Sequence, residues 1–304
     1  MLPTWEMFYP NTPSFKNHTT DTRISTSSAA YFIFSVLFTT KNDRVIYFGN
    51  SDSNRVLLIN TNFCNVTGNT HGQSLYVIGG QCVQYHVCNY KPKTSSNEPH
   101  SWVMPSGGRN NKNYILECSI SCPTGNMPCS AYHGDNYIGK LNTSNGRSSF
   151  ECLMRTSGDS SSHLCSVNYS TFYNNMATSY SGGETRNVQY KYCKYINNSH
   201  NSGSLLDCRD NILISDVVFK GNKGEYLFKQ SGQIIATNVY LENNTFTYSP
   251  ASNIVANTSF DLYLKHISTY LCGGNDPINV KFDPTDCVKY LSEDSIAFTQ
   301  FFTQ

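Results

Sequence analysis

Four residues of this sequence, Asp207, Arg209, Asp210 and Asp216, have the types and the closeness to act on a glycan. Two carboxylates facing one bond can serve as acid and base or nucleophile, and carboxylates beside a basic residue can also hold Ca²⁺. The same four residues fit the charged exterior of a surface segment and its turn, and no Asn-Thr-Asp, Asp-Asp or Gly-His-Gly string accompanies them. A second group, Cys118, Cys122, Cys129 and His133, offers zinc ligands. Its Cys-x3-Cys-x6-Cys-x3-His spacing is not a usual structural zinc spacing, and Pro123 and Pro128 suit a loop. The eight histidines are scattered without a His-x-x-x-His pair. No Gly-x-Ser-x-Gly elbow or phosphate loop occurs. The expectation is a protein without catalytic residues, bound cofactor or metal.

The elements that carry these residues are set by a repeat. Leu164–Asn175, Asn187–Asn198, Asn211–Asn222 and Gln233–Asn244 superimpose at intervals of 22 to 24 residues. Each closes on a bulky residue followed three positions later by Asn: Phe172/Asn175, Tyr195/Asn198, Phe219/Asn222 and Leu241/Asn244. Counting from the bulky residue, position −7 holds Cys165, Val188, Ile212 and Ile234, and position −5 holds Val167, Tyr190, Ile214 and Ala236. Position −2 holds Ser170, Cys193, Val217 and Val239, with polar or mixed residues between. Period-two alternation makes each segment a strand with one buried face, and the parity break between −5 and −2 predicts a bend. A second short apolar run follows each Asn, as in Leu205-Leu206, Tyr226–Phe228 and Ile254–Ala256. Two or three short strands per period describe one coil of a parallel β-helix, in which like residues pile into ladders. The Asn is expected to take a left-handed corner and to bond through its amide to the next coil's Asn.

The fold class is therefore all-β, a right-handed parallel β-helix solenoid of about eight to ten coils, its hand following the usual sense of parallel crossovers. Residues 1–30 read as an irregular cap or tail, 31–271 as the solenoid, and 272–304 as a C-terminal loop and tail. In the first half, Arg55–Phe63 repeats the pattern through Val56, Leu58, Thr61 and Phe63. Coils without the Asn are expected around Phe32–Phe38, Cys82–Cys88, Tyr114–Cys118 and Phe150–Leu153. Residues 91–113, with Pro92, Pro99, Pro105 and Gly107-Gly108, read as an inserted loop.

A net charge of +1, with 14% charged residues and no Lys/Arg run, gives no electrostatic footprint for nucleic acid. The longest apolar run, Ala29–Phe38, is about ten residues, short of a membrane span. Met1–Glu6 lacks the basic and apolar regions of a secretory signal. Ser295–Gln304 stops within a Phe/Thr pattern. An intracellular chain and a chain continued beyond this sequence are both expected to look like this. Of the 12 cysteines, Cys165 and Cys193 fall on interior positions as buried thiols. Cys272 and Cys287 flank a turn-rich stretch that a disulfide would close, and Cys82/Cys88 and the Cys118, Cys122, Cys129 group offer further pairings. Asn-x-Ser/Thr acceptors stand at Asn17, Asn65, Asn142, Asn168, Asn197, Asn243 and Asn257. In a secreted chain they are glycan sites; in a cytosolic one they are corner residues.

The corners Phe172-Tyr-Asn-Asn175 and Phe219-Lys-Gly-Asn222, with Tyr195-Ile-Asn-Asn198 and Leu241-Glu-Asn-Asn244, resemble those of polymorphic-membrane-protein-like β-helices. The β-helix surface proteins of trichomonad parasites are similar in their Asn/Tyr/Ser-rich composition and in a Cys-containing stretch like His266–Cys272. The resemblance covers about 55–287. It implies a non-catalytic protein at the cell surface or outside the cell, adhesin-like, that binds an unknown protein or glycan ligand of a host or matrix. Two other readings stand beside it. One is a carbohydrate-active enzyme, since parallel β-helices with a pectin-lyase-like fold include lyases and glycosidases. The other is a cytoplasmic remnant without activity of its own.

Overall fold

A computed structural model describes residues 3–12, 14–95, 98–105, 111–158, 164–178, 182–230 and 232–248. The chain winds into a parallel β-solenoid of about eight turns. Among the described residues three parallel sheets wall it: a bent sheet of 17 strands, a corner sheet of 8 strands of two residues each, and a back sheet of 9 strands. Every strand pairs with its equivalent one coil away. Cys165, Val188, Ile212 and Ile234 stand in one register column, and Phe172, Tyr195, Phe219 and Leu241 in another.

The interior positions expected from the repeat are the interior. Cys165, Val167, Phe172, Tyr190, Cys193, Tyr195, Val217 and Phe219 are buried, as are Val56, Leu58, Thr61 and Phe63 in the early coil. Aromatic rings pile along the axis, with Phe172 to Tyr195 at 4.7 Å and Tyr195 to Phe219 at 4.9 Å between centroids, their planes nearly parallel. Phe38 and Phe63 repeat this at 5.2 Å. Offset stacking of this kind adds about 1 kcal/mol per pair to the area buried.

The bend in each coil lies at the parity break. One residue per coil takes a left-handed conformation there: Tyr169, Tyr192, Asp216 and Asn238 in the regular coils, with Asn60, His86, Glu117 and Lys140 before them. A single αL residue reverses side-chain parity, so the next residue again points inward. The second left-handed column follows the post-bend strand, at Asn65, Lys91, Cys122, Asn145, Asn174, Asn197, Gly221 and Asn243. This corrects the expected corner. The left-handed residue is the one before the repeating Asn, because Asn175, Asn198 and Asn222 must turn their amides into the interior, where they are buried.

The amide ladder itself forms. Asn175 Nδ2 donates to Asn198 Oδ1 at 3.1 Å, Asn198 Nδ2 to Asn222 Oδ1 at 3.1 Å, and Asn222 Nδ2 to Asn244 Oδ1 at 2.9 Å. Each amide also donates to the carbonyl of the bulky residue one coil back: Asn198 to Phe172 (2.8 Å) and Asn222 to Tyr195 (2.7 Å).

Two expectations for the first half differ from the structure. Residues 91–113 carry Lys93–Thr94 of the corner sheet and Ser101–Met104 of the back sheet, in register with the coils on either side. Pro92 and Pro99 stand just outside these strands, where no ladder donor is needed. The segment is thus a long coil: Cys82 pairs with Asn113, 31 residues on, whereas Ile212 pairs with Ile234, 22 on. Phe150–Leu153 is a connection, and strands Asp135–Gly139 and Asn142–Ser144 carry that coil.

Residues 16–18 form the first strand of the bent sheet, and His18 stacks over Phe38 at 6.1 Å. The segment before them runs along the outside of the sheet. Trp5, Phe8 and Tyr9 bury against the outward Leu57, Ile59, Val83 and Tyr85, and Trp5 stacks on Phe15 at 4.6 Å. Tyr9 fixes this strap by donating to the Val56 carbonyl at 2.9 Å.

Candidate binding face

The outward side of the back sheet carries the densest set of chemically distinctive residues. Tyr47, Tyr76 and Trp102 share one register column of consecutive strands. All three are half-buried, as is Tyr132 one coil further. Tyr47 and Tyr76 stack at 5.4 Å, and Trp102 meets Tyr132 at 5.5 Å and His71 at 4.6 Å. The Arg44 guanidinium lies 5.0 Å from the Tyr47 ring centre and 4.0 Å from that of Tyr76. It is anchored by donating from Nε to the His71 carbonyl at 3.1 Å. His71 Nδ1 is 2.6 Å from Oε2 of the buried Glu98, whose Oε1 accepts from Ser130 Oγ at 3.3 Å. The stripe is thus pre-set by buried partners, which lowers the entropic cost of binding to it.

Along the same face the stripe gives way to charge. Glu184 Oε2 stands 3.6 Å from Arg155 and 3.3 Å from Arg209, and its Oε1 stands 3.0 Å from Arg186. Asp207 takes the Arg209 Nε at 3.6 Å. Arg155 also grips the fully buried Glu151 with two bonds, of 2.8 and 3.4 Å. Burial, with the Glu184 and Asp207 carboxylates nearby, pushes the Glu151 pKa up to about 8.

The four residues considered as a candidate carboxylate cluster are therefore not brought together. Asp207 and Arg209 lie on the back face, and Asp210 is exposed beyond their strand. Asp216 sits at the bend of the other sheet, where its Oδ1 accepts from Asn238 at 3.1 Å. Glu151, Glu184, Arg155 and Arg186 join Asp207 from earlier coils. Their signal in the sequence was register alone: Glu184 pairs with Asp207 one coil on.

Most of the described cysteines fall inside. Cys82, Cys118, Cys129, Cys165 and Cys193 are buried free thiols, Cys122 is a half-buried free thiol, and desolvation raises Cys118 and Cys193 to about 12. Neither the Cys82/Cys88 pairing nor one within the Cys118–Cys129 group is formed. Among the described residues no three His, Cys, Asp or Glu side chains are grouped to hold a metal ion. Cys272, Cys287 and Asn257 lie outside the described residues. No helix among the described residues is long and apolar enough to cross a membrane.

No protein-family model matches the chain, and no curated protein or solved structure is detectably similar to it. The face must be read on its own chemistry.

Proposed function

We propose that this chain is a non-catalytic binding protein, adhesin-like, that works at a cell surface or outside the cell and presents the back face to an extended glycan or protein of a host or matrix. The observation that carries the reading is the stripe of Tyr47, Tyr76, Trp102 and Tyr132 with Arg44 stacked on it, half-exposed on rigid strands. Aromatic rings and arginine are the side chains that concentrate binding energy at protein surfaces. The resemblance of the Asn corners to polymorphic-membrane-protein-like and trichomonad surface β-helices supports the same reading.

A carbohydrate-active enzyme is the second reading, favoured by one observation. Glu151 is a carboxylic acid kept protonated near neutral pH beside other carboxylates, the pattern of an acid–base pair. Against it, Glu151 is fully buried and Glu184 is engaged by three arginines, so neither faces a substrate.

Arrays of glycans and matrix proteins probed with the full chain test the proposal. Trp102→Ala should weaken binding at least tenfold, about 1.4 kcal/mol, without changing the unfolding midpoint by more than a few degrees. Binding that survives this change together with Tyr76→Ala would remove the face from the account. Turnover of any arrayed glycan, abolished by Glu151→Gln, would establish the enzyme instead.

A further inference from the structure

The described Asn-x-Ser/Thr acceptors are sorted by the fold, and the sorting has a direction. All six, at Asn17, Asn65, Asn142, Asn168, Asn197 and Asn243, lie on the bent sheet or on its junction with the corner sheet. None lies on a strand of the back sheet. Asn142 is only 8% exposed on the outer side of a post-bend strand, in one register column with the equally covered Ser119 and Thr171, so a glycan on its amide would have to displace what packs over that column. Asn65 and Asn168 are half-buried, and Asn168 Nδ2 donates to Ser166 Oγ at 2.9 Å. Asn17, Asn197 and Asn243 are exposed.

Asn197 and Asn243 occupy the left-handed corner column, which turns the side chain away from the wall. Gly221 stands between them in that column, and a Cβ there would meet Asn197 Oδ1 at 2.2 Å. The missing side chain leaves room for the Asn197 amide, and two coil steps set the acceptors roughly 10 Å apart.

We propose that Asn17, Asn197 and Asn243 are N-glycosylation sites, that Asn142 is not, and that the glycans cover the bent side while the back face stays bare. In the transfer, the amide Nδ2 bonds to the anomeric carbon of a lipid-pyrophosphate-linked oligosaccharide. The carbon–oxygen bond to the pyrophosphate breaks, the lipid pyrophosphate leaves with the electron pair, and the Nδ2 proton passes to the transferase's base. The inference rests on the extracellular reading for its setting only. Loss of ligand binding would overturn that reading and leave the site map standing.

The full chain, fused to a cleavable signal and secreted from a eukaryotic host, should show glycopeptides at Asn17, Asn197 and Asn243 and none at Asn142. Asn197→Gln and Asn243→Gln should each remove one glycan from the intact mass. Occupancy at Asn142 in folded protein, or bare Asn197 and Asn243, overturns the proposal. A second arm needs no secretion. In a Cys122→Ser background of unglycosylated protein, Asn197→Cys and Asn243→Cys should take a bulky maleimide polymer and still unfold cooperatively at the unlabelled midpoint. Asn142→Cys should react only after unfolding. Protected cysteines at 197 and 243, or a reactive one at 142, refute the map.

Discussion

At the scale of single residues, asparagine does two different jobs a position apart. Asn197 and Asn243 accept a left-handed backbone and face solvent, whereas Asn198 is buried with both ends of its amide committed. Its Oδ1 accepts from the backbone and amide nitrogens of Asn175, at 3.0 and 3.1 Å, and its Nδ2 donates to Phe172 and Asn222. Removing the amide strands partners on the coils at either side. Each unmet buried group costs about 1–3 kcal/mol, so Asn198→Ala should destabilise by about 3 kcal/mol in urea titrations, while Asn243→Ala should change stability by less than about 0.5 kcal/mol. Equal effects would show that the ladder carries no special weight. The ladder was legible in the sequence because its residue type repeats. The corner beside it was not, since φ leaves no signature in a column that holds Lys91, Cys122, Asn174 and Gly221 alike.

Elements are where sequence and structure part company most. The regular coils could be read because Phe172, Tyr195 and Phe219 stack like on like. The middle coils could not, because the same column there holds Asn89, Ile120 and Thr143. Asn89 is buried in place of a ring and donates to His100 and Ser74 at 2.8 and 2.7 Å, so the core turns polar and the apolar rhythm vanishes. The strap was hidden for a related reason. Outward Leu57, Ile59 and Val83 break the polar-out pattern, which becomes sensible only once Trp5, Phe8 and Tyr9 lie over them. Trp5→Ala should cost the strap about 3–5 kcal/mol of docking and abolish hydrogen-exchange protection of the Tyr9 and Thr12 amides. Coils after residue 165 should keep theirs, since each coil of a solenoid contacts only its neighbours. Protection lost evenly along the chain would show that the strap is part of a single cooperative core.

For the molecule as a whole, two buried titrating groups of opposite sense should shape stability against pH. His100 is enclosed with Gln84, Asn89, Ser74 and Phe63, and burial pulls its pKa down from 6.5 to about 3. The unfolded chain therefore binds the extra proton first, and stability present above pH 6.5 is lost as pH falls toward 3. Glu151, facing Arg155, Glu184, Asp207 and Arg209, is raised from 4.5 to about 8. Here the folded chain holds the proton longer, so stability present below pH 4.5 is lost as pH rises toward 8. Each slope is about 1.4 kcal/mol per pH unit where it acts. Between 4.5 and 6.5 the two cancel, leaving a plateau from this pair with decline on both sides. Taking the difference between wild type and variant removes the shared titration of other carboxylates. Against pH 6.5, wild type at pH 8 should lose about 2 kcal/mol that Glu151→Gln does not lose. His100→Gln should likewise lack the component of acid loss between pH 6.5 and 3. Identical pH profiles for wild type and Glu151→Gln would mean that Arg155 keeps Glu151 ionised, and the back face would then carry one more negative charge than this pKa implies.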